Sequence, residues 1–206
     1  ELRHGATPQL DAPRWPDRPI EVVERRTRAQ TALALLFPGP SRLDADRFAA
    51  QLIGTIGSGL GGRFFDELRE KRSLCYTVHT SLSERWRAGA FTSYIATSPD
   101  KEEAARDGLL EEFRKIREAG VTQDELTRAQ TYSIGVHQIQ MQSGGAVLGE
   151  MVDAWLFGRL EELDEVASSI GRVTRADIQR VAETYFDPTR RVEAVVRGTT
   201  DSGITR

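Results

Sequence analysis

The sequence predicts an α+β fold, with a mainly antiparallel sheet and helices packed on one of its faces. Strand-like stretches come in adjacent pairs with helical stretches gathered between them, whereas a doubly wound parallel sheet would alternate strands and helices regularly. The chain has 206 residues, of which 39% are hydrophobic and 29% charged. This length and composition are typical of a globular chain that buries a substantial core.

The first half of the chain is predicted to hold four strands and two helices. Apolar runs bounded by turn residues predict strands over residues 20–24, 30–37, 75–82 and 86–96. Ser41 followed by Asp44 resembles a helix cap, and apolar residues then recur at helical spacing up to Ile56. A glycine-rich break over residues 57–62 separates this helix from a short one that reaches about Lys71.

The second half is predicted to be helical, with one closing strand. A helix begins at Ser98-Pro99 and ends at Gly120. Thr122 and Glu125 form a capping box for a helix that extends towards residue 142, and a further helix stops at residue 158. Residues 174 and 177 mark the start of the last helix, and the closing strand covers residues 192–196.

Composition also limits the domain organisation and the partners. Four prolines make residues 1–19 a predicted linker, which leaves residues 20–198 as one domain and residues 199–206 as a tail. The lack of an initial methionine suggests a piece of a longer protein. No apolar run approaches the length of a membrane span, and the net charge of −3 argues against a nucleic-acid partner. The sequence predicts a soluble protein and leaves cytoplasm and periplasm open.

The residues that bind metals or act as nucleophiles are few and scattered. The chain has three histidines and one cysteine, and none of the histidines belongs to a zinc-binding motif. No metal site and no cofactor are therefore predicted in this chain, and Cys75 is interpreted as a small buried hydrophobe. Gly57, Gly59 and Gly62 match the dinucleotide-binding pattern, but they follow a helical stretch, so a turn between helices is favoured.

The most informative stretch is residues 61–78, which read GGRFFDELREKRSLCYTV. It resembles the C-terminal, non-zinc half-domains of the pitrilysin/insulinase (M16) metallopeptidases, above all the bacterial members related to the mitochondrial processing peptidase. Stretches similar to the family follow in the same order over residues 30–40, 122–126, 173–178 and 185–188. The resemblance covers residues 20–198, although the family often has glycine at the position of Ser73.

The resemblance implies the half of a zinc endopeptidase that closes over the zinc-binding half. Zinc is then expected in a partner N-terminal half, fused or separate, and a peptide is the expected substrate. The family's arginine and tyrosine, seven positions apart, correspond to Arg69 and Tyr76, which are implied to be catalytic and substrate-binding. Both side chains are suited to donating hydrogen bonds to the oxygen that gains negative charge during peptide hydrolysis. The Ser73-Leu74 turn is expected to bring them to one edge of the fold.

The sequence leaves other interpretations of Arg69, of Tyr76 and of the function open. From spacing alone, Arg69 is expected to pair with Glu67 or Glu70, and Tyr76 to belong to the core. A catalytically inactive assembly subunit of the same fold is the main alternative function. A domain that binds a small ligand, with no role in peptide cleavage, is a third. In every case this chain alone is predicted to lack peptidase activity, because the residues that activate water are missing.

Overall fold

A computed structural model describes residue 11 and residues 13–59 and 61–199 of the chain. Within them, five strands form one sheet in the order β1-β5-β2-β4-β3. The strands are β1 Ile20–Arg26, β2 Thr31–Gly39, β3 Thr77–Glu84, β4 Gly89–Thr97 and β5 Val192–Gly198. Three neighbouring pairs are antiparallel and only β1 and β5 run parallel. The predicted fold class is confirmed, and the parallel pair is a feature that the sequence did not predict.

One face of this sheet carries the core. Along β2, Leu33, Leu35 and Phe37 are buried, whereas the alternate residues Ala32 and Ala34 are partly exposed. Successive side chains of a strand point to opposite faces, so the helices cover the face of Leu33 and leave the other face uncovered by them. The prediction of helices on one face is therefore confirmed.

Helices make up most of the remaining chain in the described ranges. The α-helices are α1 Arg47–Gly57, α2 Glu102–Ala119, α3 Gln123–Gln140, α4 Gly144–Leu156, α5 Val166–Arg172 and α6 Arg175–Tyr185, and a π-helix covers Phe65–Lys71. Phenylalanine rings join the layers: Phe113 of α2 lies 4.9 Å from Phe37 and 4.7 Å from Phe186, measured between ring centroids. Such tilted and edge-on packing of aromatic rings stabilises a core beyond the area that it buries.

The helix starts predicted at Thr122 and Thr174 are confirmed, and the one predicted at Ser41 is wrong. Thr122 and Thr174 accept hydrogen bonds from the backbone N–H groups of Glu125 and Asp177, which completes capping boxes for α3 and α6. Ser41 and Asp44 also bond to each other, but α1 begins only at Arg47. The Ser41–Asp44 contact closes a turn instead of a helix cap.

The predicted linker and tail lie mainly outside the described residues. Residues 1–10, 12 and 200–206 belong to that undescribed part, so the boundaries at residues 20 and 198 remain predictions, although β1 begins and β5 ends there. Among the residues that are described, no helix is both long and apolar enough to span a membrane.

Candidate functional site

Arg69 and Tyr76 lie on either side of a tight turn between the π-helix and β3. Arg69 is in the last turn of the π-helix, and Tyr76 directly precedes β3, where its backbone N–H donates to the carbonyl oxygen of Ala96 on β4 at 3.3 Å. The predicted strand from residue 75 thus begins at Thr77 instead. The site therefore lies where the edge strand of the sheet begins.

Hydrogen bonds hold this turn in one conformation. The N–H groups of Ser73 and Leu74 donate to the carbonyls of Arg69 and Leu68, at 3.0 and 2.8 Å. From the other side, the Thr97 hydroxyl donates to the Leu74 carbonyl at 2.6 Å. Leu68 and Leu74 are both buried. These bonds and the two buried leucines fix the backbone positions from which the neighbouring side chains project.

The turn brings the side chains of Arg69 and Tyr76 into contact. The central carbon of the Arg69 guanidinium lies 4.8 Å from the Tyr76 ring centroid and 4.6 Å from that of Phe65. Both distances fall within the range of cation–π contacts. The sequence interpretation expected the pair at one edge of the fold but missed Phe65, four residues before Arg69 and thus on the same helical face.

Within the described part of the chain, the side-chain hydrogen-bond donors of Arg69 and Tyr76 have no acceptor. Tyr76 is 71% exposed, and its hydroxyl has no hydrogen-bond partner there. Besides its two ring contacts, the Arg69 side chain makes a long ion pair with Glu70, at 3.7 Å. The expectation from spacing that Tyr76 belongs to the core is therefore wrong, and the expected ion pair of Arg69 is present but weak.

Cys75 shares this microenvironment and is half-buried. Burial raises the pKa of the Cys75 thiol, and the positive charge of Arg69 opposes the rise. A thiol with a raised pKa holds little thiolate near neutral pH and is a poor nucleophile. The interpretation of Cys75 as a small buried group fits its half-buried position.

The glycine-rich segment forms a second concave region beside β3. A cavity of about 680 Å³ is lined by α1, α3, the glycines around residue 60 and the middle of β3. Ser58 joins this segment to β3, because its hydroxyl donates to the Thr80 carbonyl at 2.5 Å and accepts from the Thr80 N–H at 2.8 Å. The outward backbone groups of Thr80 are thereby already satisfied. The predicted turn between two helices is confirmed.

The described residues do not fit a catalytic zinc ion. Nowhere among them do three or more histidine, cysteine, aspartate or glutamate side chains come together as a metal would need. His79 packs against the Tyr94 ring at 5.2 Å, and His137 pairs with Glu150 at 3.3 Å. The candidate site thus consists of a cationic and a phenolic donor, and the described residues bring no metal-ligand cluster to it.

Comparison with known proteins places the chain in one family. A model of the family described as the peptidase M16 inactive domain matches residues 4–132, more than half of the chain. A protein of Streptomyces coelicolor named as an uncharacterised zinc protease is 30% identical over 165 residues, which are 79% of this chain and 36% of that relative. The chain therefore spans little more than a third of the length of this relative.

Solved structures show the same fold. A protease from Helicobacter pylori matches 95% of this chain and 48% of its own, with a TM-score of 0.87 and 19% identity. A peptidase M16 inactive domain from Pseudomonas fluorescens matches 96% of this chain and 47% of its own, with a TM-score of 0.86 and 22% identity. At such identities the likeness extends to the fold alone.

Proposed function

The chain belongs to the M16 peptidase inactive-domain family, and from this premise we propose that it is the C-terminal half of a zinc-dependent endopeptidase. In this proposal a zinc-bearing N-terminal half, fused or separate, provides the metal and the water-activating base. The present half closes over it and contacts the substrate peptide. The observation that carries the proposal is the stacked pair of Arg69 and exposed Tyr76, whose donor groups are unused within the described residues.

The chemistry of the pair suits the proposed role. During peptide hydrolysis the carbonyl oxygen of the cleaved bond gains negative charge, and fixed donors aimed at that oxygen lower the barrier. Arg69 offers a permanent charge with several N–H groups in one plane, and Tyr76 offers a neutral hydroxyl. The anchored turn holds both side chains together before substrate arrives, so less ordering is needed when it binds.

Tyr76 and Arg69 are tested in the complete enzyme that contains this chain. We expect Tyr76→Phe to lower kcat by roughly 10- to 1000-fold, the scale for losing one donor to a developing oxyanion. Arg69→Lys keeps the charge but loses the planar donors, so kcat is expected to fall as well. Steady-state kinetics on a quenched peptide substrate gives the measurement. Zinc content is expected to stay unchanged, because neither residue is placed among the ligands.

Matched controls separate catalysis from folding. Arg114→Lys makes the same exchange at an exposed arginine of α2, which pairs with Glu118, and is expected to leave kcat unchanged. Thermal unfolding of every variant identifies losses that come from instability. Normal turnover in both Tyr76→Phe and Arg69→Lys would remove the pair from the mechanism. Turnover absent even in the unmodified complete protein would favour the alternative, an inactive assembly subunit.

A further inference from the structure

Within the residues that the structure describes, β1 is an edge of the sheet with no strand on its outer side. All seven residues of β1 are exposed, including Val22 at 60% and Val23 at 38%. At the other edge, α1 packs along β3 and Ser58 satisfies the outward groups of Thr80. An exposed edge strand with apolar residues is a template for pairing with another strand. It lies across the sheet from Arg69 and Tyr76, so it is separate from the site proposed above.

The hydrogen bonds to β5 determine which backbone groups of β1 face outward. The Ile20 N–H donates to the Arg191 carbonyl at 3.1 Å, and the Arg26 carbonyl accepts from the Thr199 N–H at 3.0 Å. Backbone groups alternate in direction along a parallel pair, so the even-numbered residues of β1 face β5. The N–H and C=O groups of Glu21, Val23 and Arg25 therefore point away from the sheet, and none has a partner within the described ranges.

These outward groups allow a self-complementary pairing. In an antiparallel ladder, residues that exchange both backbone hydrogen bonds lie directly opposite each other. Placing Val23 opposite Val23 of a second copy sets Glu21 opposite Arg25 and Arg25 opposite Glu21. If one strand shifted by one residue, the outward-facing backbone groups of one copy would lie opposite residues whose backbone groups face β5. A slip by two residues would break both charge pairs. The backbone and the side chains thus select the same two-fold register.

We propose that β1 pairs antiparallel with β1 of a second copy of this chain, centred on Val23. The resulting sheet is continuous, with five strands from each copy. Charged residues on natural edge strands usually prevent association, because they repel or remain unpaired. Here the order of Glu21 and Arg25 makes them attract across the two-fold axis. Glu21 also contacts Arg106 of α2 at 3.0 Å, so in the dimer its carboxylate is shared between Arg106 and Arg25 of the second copy.

Charge reversal tests this register. Glu21→Arg places two arginines opposite each other, and Arg25→Glu places two glutamates opposite each other, so each variant is expected to dimerise roughly tenfold more weakly. An equimolar mixture of the two variants is expected to recover the unmodified affinity, because the mixed dimer restores both attractive pairs. The double variant E21R/R25E restores both attractive pairs across the axis, so it is expected to dimerise like the unmodified chain even though it loses the ion pair of Glu21 with Arg106. Sedimentation equilibrium at low salt gives the dissociation constants.

A proline substitution tests the backbone hydrogen bonds between β1 and β1 of the second copy. Val23→Pro removes the N–H that would bond across the axis, while the bonds from β1 to β5 use other residues. Val23→Thr keeps the N–H and is the matched control. We expect the proline variant to be monomeric and the threonine variant to dimerise, with circular dichroism showing both folded. A chain that stays monomeric at every soluble concentration would overturn the proposal. So would a dimer that neither charge reversal nor Val23→Pro weakens.

Discussion

At the scale of single residues, Ser73 shows how the site depends on an unusual backbone angle. Ser73 has a φ of 49°, the only positive value among the non-glycine residues that the structure describes. A side chain in this left-handed region crowds its own backbone, which is why glycine favours it. The family resemblance gave glycine as common at this position, and the observed angle supplies the physical reason. Here the Lys101 ammonium donates to the Ser73 carbonyl at 2.8 Å.

Substitutions at Ser73 are therefore expected to differ in their free energy of unfolding, according to the shape of the new side chain. Ser73→Val adds a branch at the β-carbon in the left-handed region, so the free energy of unfolding is expected to fall by about 1–2 kcal/mol. Ser73→Gly removes the crowding and is expected to leave that free energy unchanged or slightly raised. Urea unfolding followed by circular dichroism measures both. If the two variants were equally stable, the left-handed angle would not be a constraint on this turn.

The proximity of Arg69 and Tyr76 could be predicted from the sequence, whereas its details could not. A turn at Ser73-Leu74 brings flanking residues together whatever its exact geometry, so contact within the pair followed from the resemblance and the turn. The stacking of Arg69 on Phe65 depends on helix geometry, and here the helix is a π-helix. The bond from Thr97 to Leu74 joins residues 23 positions apart, which no local pattern reveals.

At the scale of elements, two of the local capping signals predicted helix starts correctly, the Ser41–Asp44 signal did not, and pairings between distant residues were missed. The capping boxes of α3 and α6 are complete within four residues, and both predicted starts are confirmed. Helix α5 was not predicted, because it has seven residues and buries only Ile170. The parallel pairing of β1 with β5 joins residues about 170 positions apart, as in the contact of Ile20 with Val192. Such pairing is decided by the packing of the whole sheet.

Two neighbouring glycines of the glycine-rich segment are expected to differ in how well they tolerate alanine. A β-carbon at Gly62 would lie 2.1 Å from the Ser58 carbonyl oxygen, whereas one at Gly61 would meet no atom within 4 Å. Gly62→Ala must therefore displace the backbone of Ser58, the residue that clamps Thr80 on β3. We expect Gly62→Ala to lower the free energy of unfolding by about 2 kcal/mol or more.

The neighbouring Gly61→Ala is the matched control and is expected to change the free energy of unfolding by less than about 0.5 kcal/mol. Chemical denaturation of both variants under the same conditions makes the comparison. Equal stability would mean that the close approach of Gly62 to Ser58 is relieved without cost.

At the scale of the whole molecule, the chain has a complete core but an incomplete set of reactive groups. Aromatic residues from the sheet, α2 and the end of α6 form one packed cluster, as a domain that folds independently requires. The candidate site holds donors for a negatively charged oxygen, and the part of the chain that is described offers no ligand set for a metal. In the proposed function, this half stabilises a reaction that the zinc-bearing half starts.

The chain alone is therefore expected to fold cooperatively, to bind no stoichiometric zinc and to leave peptides uncut. The two histidines in the described ranges have different neighbours, since His79 packs on Tyr94 and the His137 imidazole pairs with Glu150. Without a metal-bound water beside Arg69 and Tyr76, an oxyanion would not form for these residues to stabilise. Metal analysis after dialysis against zinc, together with a quenched peptide library, measures both properties. One zinc ion held per chain and lost in His79→Ala or His137→Ala, or cleavage that a chelator abolishes, would contradict this division between the halves.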